Sequence, residues 1–368
     1  MMVARREFLQ RAVTLTAVTW SGASCRVVGG EDAYEEAVTS TWRHADGAVA
    51  EGAPLLRDLV RYATLAPSSH NTQCWQFRTG DKTISILPDF ERRCPAVDPD
   101  DHHLFVSLGC AGENLVQAAR AMGLHGETRF ESGRDAVRIA LSPTTAHATP
   151  LFQAIPYRQS TRGEYDAKPL STDELALLER AASSERVRLL LLTERSAIEK
   201  VLEYVVQGNT AQMNDPAFVE ELKAWIRFNG ADAVRLGDGL FSASSGNPTV
   251  PGWLGRLMFD RFFTPQSEND KYARHLRSSA GVAVFVAQAA DKAHWVEVGR
   301  AYERFALQAT ALGIRNAFVN QPVEVASLRA QFANAVGAAT LRPDLVVRFG
   351  RGPSLPRSLR RPVQAVLA

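Results

Sequence analysis

Cysteine is scarce. The 368 residues hold four, Cys25, Cys74, Cys94 and Cys110, and no two form a C-x-x-C pair. That spacing argues against a zinc ribbon and a thioredoxin-type dithiol, and the three later thiols read as buried and free. Long apolar runs are also missing. None reaches the roughly 20 residues a spanning helix needs, so no membrane association is expected beyond the N-terminal segment described below. The net charge is only +2, so nothing global points to nucleic acid. No G-x-G-x-x-G occurs, which argues against a nicotinamide site of the Rossmann type. No Ser-His-Asp arrangement is evident, and no catalytic side chain is assigned. What remains is ordinary globular composition, 45% hydrophobic and 22% charged, in a chain long enough for two domains or one large one.

Asp98-Pro99-Asp100-Asp101-His102-His103 is dense in ligating side chains, yet it reads as a helix start. Asp98 suits an N-cap, Pro99 the first turn, and the acids the positive helix end. No second cluster has metal-ligand spacing, so no metal is expected. The first 30 residues differ from the rest. Arg5-Arg6-Glu7-Phe8-Leu9 precedes a modest apolar run from 12 to 24, the pattern of a twin-arginine export signal over residues 1–30. The expected partner is the twin-arginine export machinery, and the expected location is periplasmic or otherwise extracytoplasmic. If the pattern is fortuitous, the chain stays cytoplasmic.

Residues 31–53 are polar, with no clear period, and read as a linker or a fragment of helix. Leu55, Leu56, Leu59, Val60 and Ala63 then recur at helical spacing. Residues 75–79 and 83–87 flank Gly80-Asp81 as a hairpin. An apolar helix with small residues follows from 104 to 122, then strands at 127–131 and 136–141. Residues 107–124 and 297–314 align at a constant offset of 190. Gly109 matches Gly299, Gly123 matches Gly313, Glu113 matches Glu303, and three alanine pairs coincide. This is an internal repeat. Residues 54–150 make one half. Residues 151–368 make the second, with a helical insertion at about 205–277 that the first half lacks. The apolar stretch 254–263 inside the insertion reads as a lid over a cleft, or as a dimer contact. Two like halves in one chain make an intramolecular pseudo-dimer with one pseudo-twofold axis.

Two motifs carry chemistry. Ala66 to Phe77, APSSHNTQCWQF, sets six successive polar residues between a helix that ends at Pro67 and a strand. Arg158-Gln-Ser160-Thr-Arg162, in extended chain, puts three donors on one side. The first stretch resembles the A-P-S-S-x-N-x-Q-P-W motif of the nitroreductase family, with Cys74 where proline is usual. The second resembles that family's R-x-S-x-[RK]. Phe318 to Glu324 resembles the segment along the flavin ring, and the tail with Arg357, Arg360 and Arg361 resembles the one reaching the phosphate. Together they resemble the fused, two-domain, lidded, Acg-like branch.

The resemblance implies an α+β, nitroreductase-like fold and one complete FMN site between the halves, with its pseudo-symmetric twin eroded. It places Arg158, Ser160, Arg360 and Arg361 at the phosphate, where guanidinium forks suit a dianion. It places Arg162 by the ring, where a cation stabilises reduced flavin, and Ser68, Ser69, Asn71, Gln73 and Gln321 along the polyol and ring edge. The implied activity is FMN-dependent transfer of electrons to nitro, quinone or related small-molecule acceptors, with NAD(P)H a candidate donor. A flavin-binding or flavin-sequestering protein without turnover stays open as the alternative.

Overall fold

The computed structural model describes residues 29–45 and 52–368; the Arg5-Arg6 segment lies outside them. Helix α1 (Gly29–Thr41) occupies much of the stretch read as a linker or helix fragment. It forms because Tyr34, Ala37 and Val38 share one face, which packs on Phe241 and Leu359. The Tyr34 hydroxyl donates to the Arg357 carbonyl at 2.7 Å and accepts from the Arg357 N–H at 2.8 Å. Those partners lie more than 200 residues away in sequence, so no local periodicity announces them.

The first half then runs α2 (Gly52–Thr64), β1 (Trp75–Thr79), β2 (Thr83–Pro88), α3 (His102–Ala121), β3 (Leu124–Glu131) and β4 (Ala136–Pro143). Its strands lie in the order β1-β2-β4-β3, antiparallel throughout. Helix α3 begins later than the sequence suggests. Asp101 holds its N-cap position with φ 56°, and Asp98 reaches in from outside to accept from the His103 and Leu104 N–H groups. His102 is engaged too, bonded to Asp344 at 2.9 Å, and His103 bonds the Asp344 carbonyl.

The second half repeats that plan. It comprises α4 (Pro150–Ala154), α5 (Thr172–Ala182), β5 (Val187–Leu192), then α6 (Arg195–Met213), α7 (Pro216–Trp225), β6 (Ile226–Arg227), α8 (Gly230–Leu236), β7 (Leu240–Phe241), α9 (Gly252–Phe262) and α10 (Pro265–Arg277). Next come β8 (Gly281–Ala287), α11 (Lys292–Ala311), β9 (Arg315–Phe318), α12 (Gln321–Glu324), α13 (Arg329–Ala335) and β10 (Pro343–Gly350). Strand order is β5-β8-β10-β9, again antiparallel. Each sheet therefore has the same a-b-d-c order, with the long helix between b and c. The chain is an α+β protein of two like halves.

The two long helices, α3 and α11, cross at Gly109 and Gly299. A methyl on Gly109 would run into the Val296 carbonyl, and one on Gly299 into the Val106 carbonyl. Both pairs differ by the repeat offset of 190, so the contact is reciprocal, as a twofold axis requires.

The halves differ in what covers their sheets. Strand β3, LHGETRFE, alternates and leaves one face to solvent, whereas β8, GVAVFVA, is buried along its whole length. The far face of β8 and β10 is covered by Ile198, Val201, Leu202 and Val205 of α6, Leu276 of α10 and Phe332 of α13. The insertion thus spans the whole β5–β8 connection, wider than 205–277, and its outer helices α6 and α10 are core. Helices α7 and α9 border a cleft without joining that core, and α10 borders it from its other side. After β10 the tail crosses back to the first half: the Phe77 N–H donates to the Val366 carbonyl at 2.7 Å, and the Ala368 N–H to the Phe77 carbonyl at 2.9 Å.

Candidate functional site

The loop after Pro67 is strained. His70, Asn71 and Gln73 have φ of 48°, 54° and 55°, the left-handed region that residues with a Cβ rarely adopt. Such geometry persists only where surroundings over-determine it. Here two carboxamides do so. The Asn71 amide donates to the Gly239 carbonyl at 2.9 Å and the Leu359 carbonyl at 3.0 Å, and its oxygen accepts from Arg360 at 2.8 Å. The Gln73 amide donates to the Gly237 carbonyl at 2.8 Å, and its oxygen accepts from the Arg361 N–H at 2.8 Å. Each ties three segments together: the loop, the insertion and the tail.

Two cavities of about 70 and 180 Å³ border this loop, a third of about 310 Å³ lies beyond them, and all three touch Arg162, Leu240 and Phe318. The smallest holds the basic groups. Arg158, Ser160 and Arg162 line it together, as their extended spacing predicts, with Arg357, Arg360, Ser68 and Asn71. The guanidiniums are clamped by carbonyls. Arg158 donates to Leu65 at 2.7 Å; Arg360 donates to Thr64, Leu65 and Ala66 at the end of α2; Arg357 donates to Tyr157 and Arg158. Trp42 stacks against both Arg357 and Arg360, 4.6 and 4.7 Å from their guanidinium carbons. Burial and then the neighbouring Arg158 pull Arg357 down to about 10, and Arg360 is pulled well below its ordinary value by the same two causes. The one buried carboxylate near them, Glu303, stands 3.2 Å from Arg158. Burial pushes Glu303 up to about 7 despite that guanidinium. Cation exceeds anion here, and the buried Ser160 hydroxyl oxygen has no hydrogen-bond partner among the described residues. The cavity is arranged for a compact anion.

The 180 Å³ cavity lies between the halves, bordered by Ser68, Ser69 and His70 of the strained loop, Val106 and Cys110 of α3, and Gln321 of α12. Two of its buried polar atoms, His70 Nε2 and Gln321 Oε1, have no hydrogen-bond partner among the described residues. Burial and then Arg162 lower the His70 imidazole to about 4, so it is neutral at neutral pH. Arg162 itself makes no hydrogen bond or ion pair among the described residues, and burial lowers its guanidinium. A half-buried cation with no partner among the described residues, beside orphaned polar atoms, is costly unless a ligand satisfies them.

Of the residues singled out from sequence, Arg158, Ser160, Arg162, Ser68, Ser69, Asn71, Gln321 and Arg360 border these cavities. Gln73 and Arg361 border none of them. Gln73 is wholly buried between Gly237 and the tail, and Arg361 turns to the Ala365 carbonyl at 2.6 Å and towards Asp89. Asn71 touches the basic cavity, but its amide is already saturated. Consecutive positions on a kinked loop point in different directions, so a motif cannot tell which carboxamide faces the cleft. Arg357, Trp42, His70 and Glu303 are the additions. Arg357 stands in the same basic tail. Trp42 gives no sequence signal, and Glu303 shows only as a member of the repeat.

The basic cavity and the cavity between the two like halves share Ser68, Arg162, Leu240 and Phe318. Curated relatives match most of the chain. The Mycobacterium tuberculosis protein Rv3131, whose name assigns it provisionally to the NAD(P)H nitroreductases, is 26% identical over 328 residues, 86% of this chain and 91% of that one. The acg protein of the same organism, named in the same way, is 23% identical over 334 residues, 85% and 95% of the two chains. Rv3127, also of that organism and named as uncharacterized, is 23% identical over 343 residues, 85% and 92% of the two chains. Among solved structures, a nitroreductase with bound FMN from Desulfitobacterium hafniense gives a TM-score of 0.37 at 16% identity, covering 57% of this chain and 94% of that one. No family model matches the sequence.

Proposed function

We propose that the chain is an FMN-dependent oxidoreductase of the nitroreductase family. It passes electrons from a reduced donor, NAD(P)H as in the names of its relatives, to nitro, quinone or related acceptors. The observation that carries this reading is Arg162, an unpaired guanidinium where the three cavities meet. The residues present suit FMN. Arg158, Arg357, Arg360 and the orphaned Ser160 hydroxyl would hold its phosphate. Ser69, His70 and Gln321 would meet polar atoms of the ring, which accounts for the orphaned His70 Nε2 and Gln321 Oε1. Bound FMN supplies the redox chemistry. Arg162 would stabilise the negative charge that reduction adds to the ring. Helices α7 to α9 act as the lid, with Leu240 above the junction of the cavities.

The purified chain is expected to carry FMN, seen in its visible spectrum, and to oxidise NADPH when a nitroaromatic is supplied. Arg357→Gln and Ser160→Ala are expected to weaken FMN binding, Arg357→Gln by tenfold or more, since losing a hydrogen bond to a charged group costs roughly 1.5–3 kcal/mol. Riboflavin, which lacks the phosphate, should bind wild type and both variants alike. Equal loss for both flavins would mean that the basic cavity does not hold the phosphate. Flavin bound without turnover of any donor would make the chain a flavin carrier. We further propose that residues 1–30 direct twin-arginine export; substituting Arg5 and Arg6 by lysine should leave the protein in the cytoplasmic fraction.

A further inference from the structure

The largest of the three cavities, about 310 Å³, lies beyond the two assigned above to the cofactor, and its lining is uneven. Phe228, Phe259 and Phe263 of the lid face Tyr272 and Phe318 across it. Its charged members are Arg162, Glu268, Lys271 and Arg348. Arg348 is satisfied, because its guanidinium donates to the carbonyls of His275, Thr161 and Gly163. His275 also lines the wall and is neutral, lowered to about 3 by burial and then by Arg348. Arg162 serves the ring in the reading above. That leaves Lys271, half-buried on α10, with no hydrogen bond or ion pair among the described residues. Glu268 sits one turn earlier in the same cavity; its charge favours the ammonium through space, but the two form no ion pair or hydrogen bond among the described residues. Burial, the leading effect on Lys271, disfavours its ammonium. An ammonium held against aromatic walls, with its one nearby carboxylate out of hydrogen-bonding reach, gains from an anion that makes direct contact.

We propose that Lys271 determines acceptor specificity, and that this cavity takes an aromatic electron acceptor carrying one acidic group. The ring lies among the phenylalanines and the acid meets the ammonium. The role as acceptor rests on the flavin reading; the binding itself does not.

The test uses the full chain with 4-nitrobenzoate and its neutral isostere 4-nitrobenzamide, titrated calorimetrically into wild type, Lys271→Met and Lys271→Arg. Wild type is expected to bind the anion at least tenfold more tightly than the amide. Lys271→Met should abolish that preference and keep the amide affinity, and Lys271→Arg should restore the preference. Three results overturn the proposal: no preference in wild type, no binding of either compound, or equal loss of both in Lys271→Met, which would make the side chain a shaper of the wall only. Flavin content, read from the visible spectrum of the same samples, separates the two readings. A Lys271-dependent preference in a chain that takes up no FMN keeps this inference and removes the flavin reading. FMN binding without the preference does the reverse.

Discussion

At the scale of single residues, Arg158 and Glu303 decide which experiments are informative. Arg158 is 2% exposed and faces the fully buried Glu303. Truncating it would leave the buried Leu65 carbonyl and Glu303 carboxyl without that partner, an effect of about 1–3 kcal/mol on stability. Arg158→Ala therefore confounds flavin loss with unfolding, and Arg357 is the cleaner probe. Glu303 also makes a pH prediction. Burial raises it from 4.5 to about 7 in the folded chain, so the folded state holds that proton more tightly than the unfolded one. Stability from this group is complete below its unfolded value and is lost as pH rises through about 7. Glu303→Gln, compared with wild type by urea unfolding, should gain ground steadily from pH 4.5 to 7, on the order of 1 kcal/mol per pH unit. A flat difference would mean that Arg158 keeps Glu303 ionised throughout. The sequence marks Glu303 only as the partner of Glu113 in the repeat. Its altered acidity is set by depth of burial, which no local pattern reports.

At the scale of elements, the crossing of α3 and α11 is the most demanding contact. Gly109 and Gly299 have carbonyls of the other helix where a Cβ would stand. Gly109→Ala and Gly299→Ala should destabilise the fold by similar amounts, at least the ~1–3 kcal/mol typical of overpacking. Gly123→Ala is the control: φ is 78° but no contact comes nearer than 3.4 Å, so it should cost only about 1 kcal/mol. Denaturant midpoints rank the three, and unequal effects at the two crossing glycines would show that the helices do not meet reciprocally. The repeat made this crossing legible, because small residues at matched positions are a local signal. The division of the insertion was not legible. Helices α6 and α10 look no different in sequence from α7 to α9, yet the first pair carries the far face of the second sheet. Deleting residues 205–277 would uncover that face and unfold the half. Leu240→Ala is the milder test of the lid: it should speed flavin release several-fold and leave the unfolding midpoint within about 1 kcal/mol of wild type, as expected for a side chain of the cleft. Unchanged release would deny Leu240 a lid role.

At the scale of the molecule, the two halves close two related helix ends differently. The end of α2 faces the basic cavity, where Arg158 and Arg360 take its carbonyls. The end of α5, its counterpart, is closed by Arg304, which donates to the Ala181 and Ser183 carbonyls and to Glu113. Burial would raise Glu113, but Arg304 and Arg300 outweigh it, so this carboxylate stays ionised and the seal holds. One FMN per chain is therefore the expected stoichiometry after heat release and spectroscopic quantitation; two per chain would refute the sealed twin.

The sequence by itself determined the main helices and strands of the first half, the repetition of its long helix at an offset of 190 residues, and the alternation that sets Arg158, Ser160 and Arg162 on one side. These rest on spacing within a few residues, where periodicity and the repeat are direct physical signals. Only the tertiary structure decided that Gln73 and Arg361 tie the chain together while Arg357 and Trp42 complete the basic cavity. It alone sent the tail back to β1 and packed α1 on the insertion. Those contacts join residues hundreds of positions apart, and each side chain's role is fixed by which segment arrives opposite it.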